Sequence, residues 1–300
     1  MKQTLIVMSD YSEIRRKANR IYIRTLRAEG SLPITSIDGL LIFGKATITS
    51  DAISLCMTEN IPILLLTQYG HIKAQILPPI SSEHTRKRTF QYYLYLSKKL
   101  EVAKFLIASK LLEIEYIFEC SLEEYKSRIP KINNYHELLG IEGSASKEMF
   151  KIFANNIKVK GFKFEERSYH PPKDEVNALL SFIYTLGYNF TLGYLLKVGY
   201  DPYISFLHVR KGRHAAFASD VLEILRPRLT KFAMDLIDQE VLEIKDWERT
   251  KDYVKLKRQA LVKVLEEFNG IKEELLDLLK VYIKDLEEKF LEQERGLGGV

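Results

Sequence analysis

The stretch His71–Arg88, HIKAQILPPISSEHTRKR, holds the change of character on which the fold reading turns. Up to Leu77 apolar and polar residues alternate, the period-two signature of a strand with one covered face. Pro78-Pro79 then removes two backbone donors in succession and ends any ladder. A polar run follows, and beyond it apolar residues recur at three- and four-residue spacing, the mark of amphipathic helices.

Reading back toward the N-terminus, the segments TLIVM (4–8), RIYIR (20–24), ITSIDGLLIFG (34–44), IPILLLT (61–67) and HIKAQIL (71–77) are short, and β-branched or alternating. Gly, Pro and Ser bound them, so they read as strands. One helix is expected at Asp51–Thr58, capped by Ser50 or Asp51, and Tyr69-Gly70 supplies a hairpin turn. Reading forward, helical periodicity runs through 84–127, 144–156, 175–198, 215–226, 228–243, 250–268 and 271–291. The expected breakers are Asn133-Asn134, His170-Pro171-Pro172, Asp201-Pro202, Pro227 and Asn269-Gly270. The predicted class is α+β: a small β-rich domain over 1–79, with one helix, followed by a larger all-α domain over 80–300.

The 300 residues are 46% hydrophobic and 28% charged, enough for a substantial core. Cys56 and Cys120 form no CxxC or framework spacing, so a reducing, cytoplasmic location is expected. The apolar run Leu5–Met8 is too short for an export signal, and no continuous apolar run approaches the ~18 residues of a membrane span. The net charge of +5 is uneven. From Asp235 onward there are 12 basic against 17 acidic residues, and before it 33 against 23. A basic body with an acidic tail suits a polyanionic partner. Solvated helix faces explain the same numbers.

The densest chemistry lies in DPYISFLHVRKGRHAAFASDVLEILRP (201–227). In one straight helix His208 and Glu223 would stand roughly 22 Å apart. Gly212 offers a reversal, giving two helices joined by a basic turn, with His208 on the first. Asp220 and Glu223 are an i,i+3 pair on one face of the second. An imidazole with carboxylates suits Mg²⁺ or Mn²⁺. A packed core histidine, solvated acids and an ordinary Glu223–Arg226 ion pair suit the same spacing, and spacing alone leaves both readings open. His170 and His214 read as surface residues, and the adjacent Glu165-Glu166 as solvated.

GYDPYISFLHVRKGRHAAFASDVLEILRP (199–227) resembles the signature of the CRISPR-associated adaptation integrases, the endonuclease-like proteins that capture new spacers. IEGSASKEMFKIF (141–153), ERSYHPPKDEVNALLSFIYTLGYN (166–189) and the β-rich stretch 37–76 resemble three further family segments, in order. Met149, Glu175 and Tyr169-His170 depart from the family pattern, and none of them removes a ligand position. The resemblance implies metal ligands at Glu142, His208 and Glu223, with Asp220 supporting the catalytic site. It implies a metal-dependent DNA endonuclease and integrase that joins the 3′-hydroxyl of captured duplex fragments into repeat DNA. It further implies a homodimer formed through the β-rich domain, and a complex with the second, smaller adaptation protein. Arg210, Lys211 and Arg213 are the expected phosphate contacts. Two other classes fit parts of the sequence: a non-catalytic nucleic-acid-binding scaffold, and a hydrolase of small phosphate esters. The latter lacks any glycine-rich phosphate cradle.

Overall fold

A computed structural model describes residues 2–26, 28–158, 162–168, 171–209 and 212–295, with the side chains of 9, 10, 158 and 292–295 outside the description. The chain opens with β1 (Gln3–Lys17), β2 (Arg20–Arg24), β3 (Glu29–Pro33) and β4 (Ile37–Ile48), then α1 (Ser50–Thr58), β5 (Ile63–Leu66) and β6 (Ile72–Ile76). Helices α2 (Ser82–Ser97), α3 (Lys99–Phe118), α4 (Glu123–Lys126), α5 (Tyr135–Lys158), α6 (Glu175–Val198) and α7 (Ala216–Asp238) follow. The strands β7 (Trp247–Arg249) and β8 (Val254–Leu256) precede the last helix, α8 (Arg258–Arg295). The class is α+β, as expected, with 58% of the described residues helical. The C-terminal region is not all helical, because β7 and β8 pair as a short antiparallel hairpin.

Packing divides the chain into two compact units: Met1–Gln91 with Thr185–Pro202, and Tyr92–Tyr184 with Tyr203–Val300. The strand-rich segment does end before Pro78-Pro79, but the units do not split at residue 79. Helices α2 and α6 each contribute residues to both.

In the first unit the six strands lie in the order β3-β2-β1-β4-β5-β6. β1, β4 and β5 run parallel, while β2, β3 and β6 add antiparallel edges. One face of the sheet, with Ile14, Ile37, Leu40, Ile42 and Ile63, closes on Ala52, Leu55 and Cys56 of α1. The side chain of Thr49, one residue ahead of the expected cap, accepts from the Ala52 N–H. The alternate residues Leu41, Phe43, Leu64 and Leu66 are also buried. Gly193 of α6 lies against Leu41, and Gly70 against Phe43. Both faces of β4 are therefore covered, which is why IDGLLIF reads as a nearly unbroken apolar run.

Two glycines fix this unit. Gly70 turns the β5–β6 hairpin at φ +87°, and its carbonyl accepts from Asn189 Nδ2 at 2.7 Å. Gly199 ends α6 at φ +98°, where a Cβ would stand 2.4 Å from His84 Cδ2 and 2.8 Å from His84 Cα.

In the second unit α3 packs against α5, α7 and α8, and α5 against α7. Two expected breaks do not occur. α7 runs through Pro227 although proline supplies no helical N–H, because Val221, Leu222, Ile224, Leu225, Leu229, Phe232 and Ala233 are buried on both sides of it. α8 runs through Asn269-Gly270 because Leu265, Phe268, Leu275 and Leu279 keep the apolar stripe continuous. Asn133-Asn134 proves to be a helix start: Asn134 Oδ1 accepts from the Glu137 N–H at 2.9 Å. α6 is long and apolar enough to cross a membrane by composition, but 78% of that stretch is buried within the protein, as in a core helix.

The Asp174…Asn177 part of the 166–189 segment is a structural clamp. Asp174 Oδ1 caps α6 at the Asn177 N–H, and Asn177 Oδ1 accepts from Arg167 and from the Ser168 N–H. Asn177 Nδ2 returns a bond to the Glu166 carbonyl. Tyr169 and His170 lie outside the described residues.

Gly199→Ala is expected to destabilise the protein by roughly 2 kcal/mol or more, since it combines a left-handed backbone with a clash against backbone. Urea or thermal unfolding of the purified variant checks this, and a wild-type midpoint would show that His84 yields.

Candidate active site

Three helices and one loop of the second unit supply the site. Glu142 and Ser146 stand one turn apart on α5. Glu142 lies within α5, two turns from its start, and so does not act as a charge ahead of the helix. Asp220, Glu223 and Arg226 follow at three-residue intervals on α7, so all three share a face. His208 belongs to the irregular segment between α6 and α7, not to a helix.

The reason is Asp220. Its side chain is 0% exposed and accepts main-chain N–H bonds from Phe206, Leu207 and His208 at 2.5, 3.0 and 2.8 Å. A carboxylate that gathers three successive amide groups holds the segment out of helical geometry. The same carboxylate contacts His208 Nδ1 at 2.8 Å. Ser205 Oγ donates to the His208 carbonyl, and Phe206 packs edge-on against Phe217. The ring is thereby oriented with Nε2 3.7 Å from Glu223 Oε1.

The residue that sequence reasoning missed is Lys110 of α3. Its ammonium contacts Glu142 Oε1, Glu223 Oε2 at 2.7 Å and Ser146 Oγ at 2.9 Å. Ser146 Oγ also donates to Glu142 Oε1 at 2.8 Å. The Lys110 side chain is 1% exposed, against 5% for Glu223, 23% for Glu142 and 37% for His208. The signal was present in the sequence. In FLIASKLLEI, Lys110 falls on the face of Leu106, Ile107, Leu111 and Ile114, all of them buried.

Electrostatics follow this packing. Burial alone would push the Glu223 carboxyl up, but Arg226, Lys110 and His208 outweigh it and hold the group at about 2. Arg226 Nε is 3.1 Å from Glu223 Oε1 and also lies over the Tyr184 ring. Burial alone would push the Lys110 amine down, but Glu223 and Glu142 reverse this and keep it charged. For His208, too, burial lowers the value, while the Asp220 bond and the charge of Glu223 raise it above the ordinary 6.5.

The structure thus brings Glu142, Glu223, His208 and Asp220 together. Among the described residues no three His, Cys, Asp or Glu groups are placed to hold a metal ion together, and an ammonium lies between the two glutamates. The donors suit a hard to borderline divalent ion. Their meeting point already accommodates one positive charge. Arg213 is exposed near the site in sequence, while Arg210 and Lys211 lie outside the described residues. His214 is exposed and its Nε2 lies 2.8 Å from Ser219 Oγ. Glu165 and Glu166 are exposed, as expected, and line a separate cleft with Lys163, Lys173 and Arg249.

Similarity to known proteins runs along the whole of this frame. The CRISPR-associated endonuclease Cas1 of Methanocaldococcus jannaschii is 28% identical over 276 residues, 89% of this chain and 85% of that protein. Among solved structures, a Cas1 protein from Thermotoga maritima superposes with a TM-score of 0.81 at 21% identity, covering 96% of this chain and 97% of the other. A casposase bound to integration product gives 0.77 at 23% identity, covering 90% and 82%. The family model described as CRISPR associated protein Cas1 matches residues 5–270. With the fold and the order of its segments in agreement, the chain belongs to the Cas1 family of CRISPR-associated proteins.

Proposed function

We propose that this protein is a divalent-metal-dependent DNA endonuclease and integrase of CRISPR adaptation. The observation that carries this reading is the convergence of Glu142 and Glu223 on one point beside an imidazole oriented by Asp220. In the proposed reaction the 3′-oxygen of a captured fragment forms a bond to a phosphorus of repeat DNA. The phosphodiester bond already there breaks and leaves a new 3′-hydroxyl, so the number of phosphodiesters is conserved. With water in place of the 3′-hydroxyl, the same exchange is hydrolytic cutting.

Glu142, Glu223 and the Nε2 of His208 would hold Mg²⁺ or Mn²⁺, which would stabilise negative charge developing on phosphoryl oxygens. Asp220 acts as a positioning residue, since it fixes the ring that presents Nε2 and the loop that carries it. Arg226 keeps Glu223 ionised. Arg213, together with Arg210 and Lys211, would contact the flanking phosphates, and duplex fragments and repeat DNA are the partners.

The homodimer is proposed to form through the first unit. β4 is covered on both faces and is not the element proposed for it. The edge strands β3 and β6 are the available elements. The smaller adaptation protein is a further proposed partner, with the acidic α8 region as the suggested docking element.

Glu142→Gln, His208→Ala and Glu223→Gln are each expected to lower joining and cutting by about 10²-fold or more while DNA affinity changes little. A labelled 3′-ended duplex and a supercoiled repeat plasmid with Mn²⁺ provide the assay, and EDTA should abolish both products. Cutting or joining that survives EDTA would reject metal dependence, and DNA binding with no EDTA-sensitive product would favour a scaffold.

Metal affinity should also depend on pH. An imidazole must shed its proton to act as a ligand, and the folded protein favours the protonated ring. Mn²⁺ affinity is therefore expected to fall as pH drops through a midpoint above 6.5. Calorimetric titration from pH 5.5 to 8.5 tests this, with His208→Ala expected to flatten the profile.

A further inference from the structure

We propose that Lys110 is the resident counter-ion of this site, and that a divalent cation binds by displacing its ammonium from between Glu142 and Glu223. The inference rests on the metal-site reading above and concerns what the chain itself does in the absence of the ion.

Three observations carry it. The ammonium touches one oxygen of each glutamate and the Ser146 hydroxyl, so its three donors are used at the point where those acids meet. The Lys110 side chain is 1% exposed, while Glu142 and His208 are 23% and 37% exposed. Glu142 and His208 therefore reach solvent where the lysine does not. Finally, Lys110 and Arg226 already balance Glu142 and Glu223, and Asp220 is committed to His208 and three backbone N–H groups. Two added charges beside an undisplaced ammonium would leave a buried excess of positive charge, which a low-polarity site disfavours. The four-carbon stem of lysine gives it the freedom to withdraw.

The proposal separates Lys110 from an ordinary structural ion pair. A structural pair would make the site worse when broken, whereas a resident counter-ion competes with metal, and its removal makes metal binding tighter. Mn²⁺ binding, read by electron paramagnetic resonance of the free ion, is to be compared in the wild type and in Lys110→Met. The expected result is affinity about tenfold or more higher in the variant. Its melting temperature should be lower in EDTA and should rise more than the wild type's on adding Mn²⁺. Equal or weaker Mn²⁺ binding by the variant, with normal binding by the wild type, overturns the proposal and leaves the metal site standing. Absence of Mn²⁺ binding in both proteins overturns the metal site and this inference together. Should Lys110→Met fail to fold without metal, the wild type decides. The buried Lys110 ammonium is followed by ¹⁵N-lysine NMR, where a signal displaced by saturating Mg²⁺ supports exchange and an unchanged signal overturns it.

Discussion

A carboxylate withdrawn from water, as Glu223 is, stays ionised only where positive charge lies within reach. In this protein that charge is an ammonium delivered from a third helix. Its position dictates much of the second unit: α3 must pass close enough to both α5 and α7 for one side chain to touch Glu142 and Glu223 together. The apolar residues around Lys110, among them Leu106, Ile107, Leu111 and Ile114, hold that approach in place. Stability and site geometry are thus the same constraint. Stranding one member of the buried Lys110–Glu223 pair typically costs about 3–5 kcal/mol unless another cation takes the vacant place.

Around this centre the basic groups divide their tasks. Arg226 approaches Glu223 along the same helix and also rests on Tyr184, whose hydroxyl meets Thr230 Oγ1 at 2.6 Å. A further buried acid, Glu113 of α3, is matched separately by Arg228 Nε at 2.8 Å and by the Tyr282 hydroxyl at 2.9 Å. That pairing ties α3 to α7 and α8 without drawing on the groups of the site. Facing helices therefore carry two independent charge sets, one for cohesion and one for chemistry.

Much of the fold was legible because period two and period 3.6 separate cleanly on either side of Pro78-Pro79. The exceptions have physical causes. Pro227 and Asn269-Gly270 look like stops, but local punctuation is weak against continuous burial on both flanks. β3, EGSLP, has too little apolar pattern to announce itself and forms only as an edge partner of β2. In the site, Asp220 and Glu223 could be placed on one helical face from their spacing. Glu142 needed the family resemblance, because nothing local links residue 142 to residue 223. His208 was assigned to the wrong kind of element, since a helix pattern cannot reveal that a distant carboxylate claims the segment's own N–H groups. Lys110 was readable as a cation on an apolar face, a conflict between charge and burial that only a partner resolves.

The way Asp220 holds the histidine segment has one more consequence. Beside its bond to the His208 ring, Asp220 makes three bonds to the main chain of residues 206–208, and main-chain donors are the same whatever side chain follows. Homologues can therefore drift in the identities of these loop positions, so long as the replacements still fill their apolar pockets, without moving the ring. Sequence variation in this loop should read as tolerance of packing, while the aspartate on α7 carries the geometric memory of the segment.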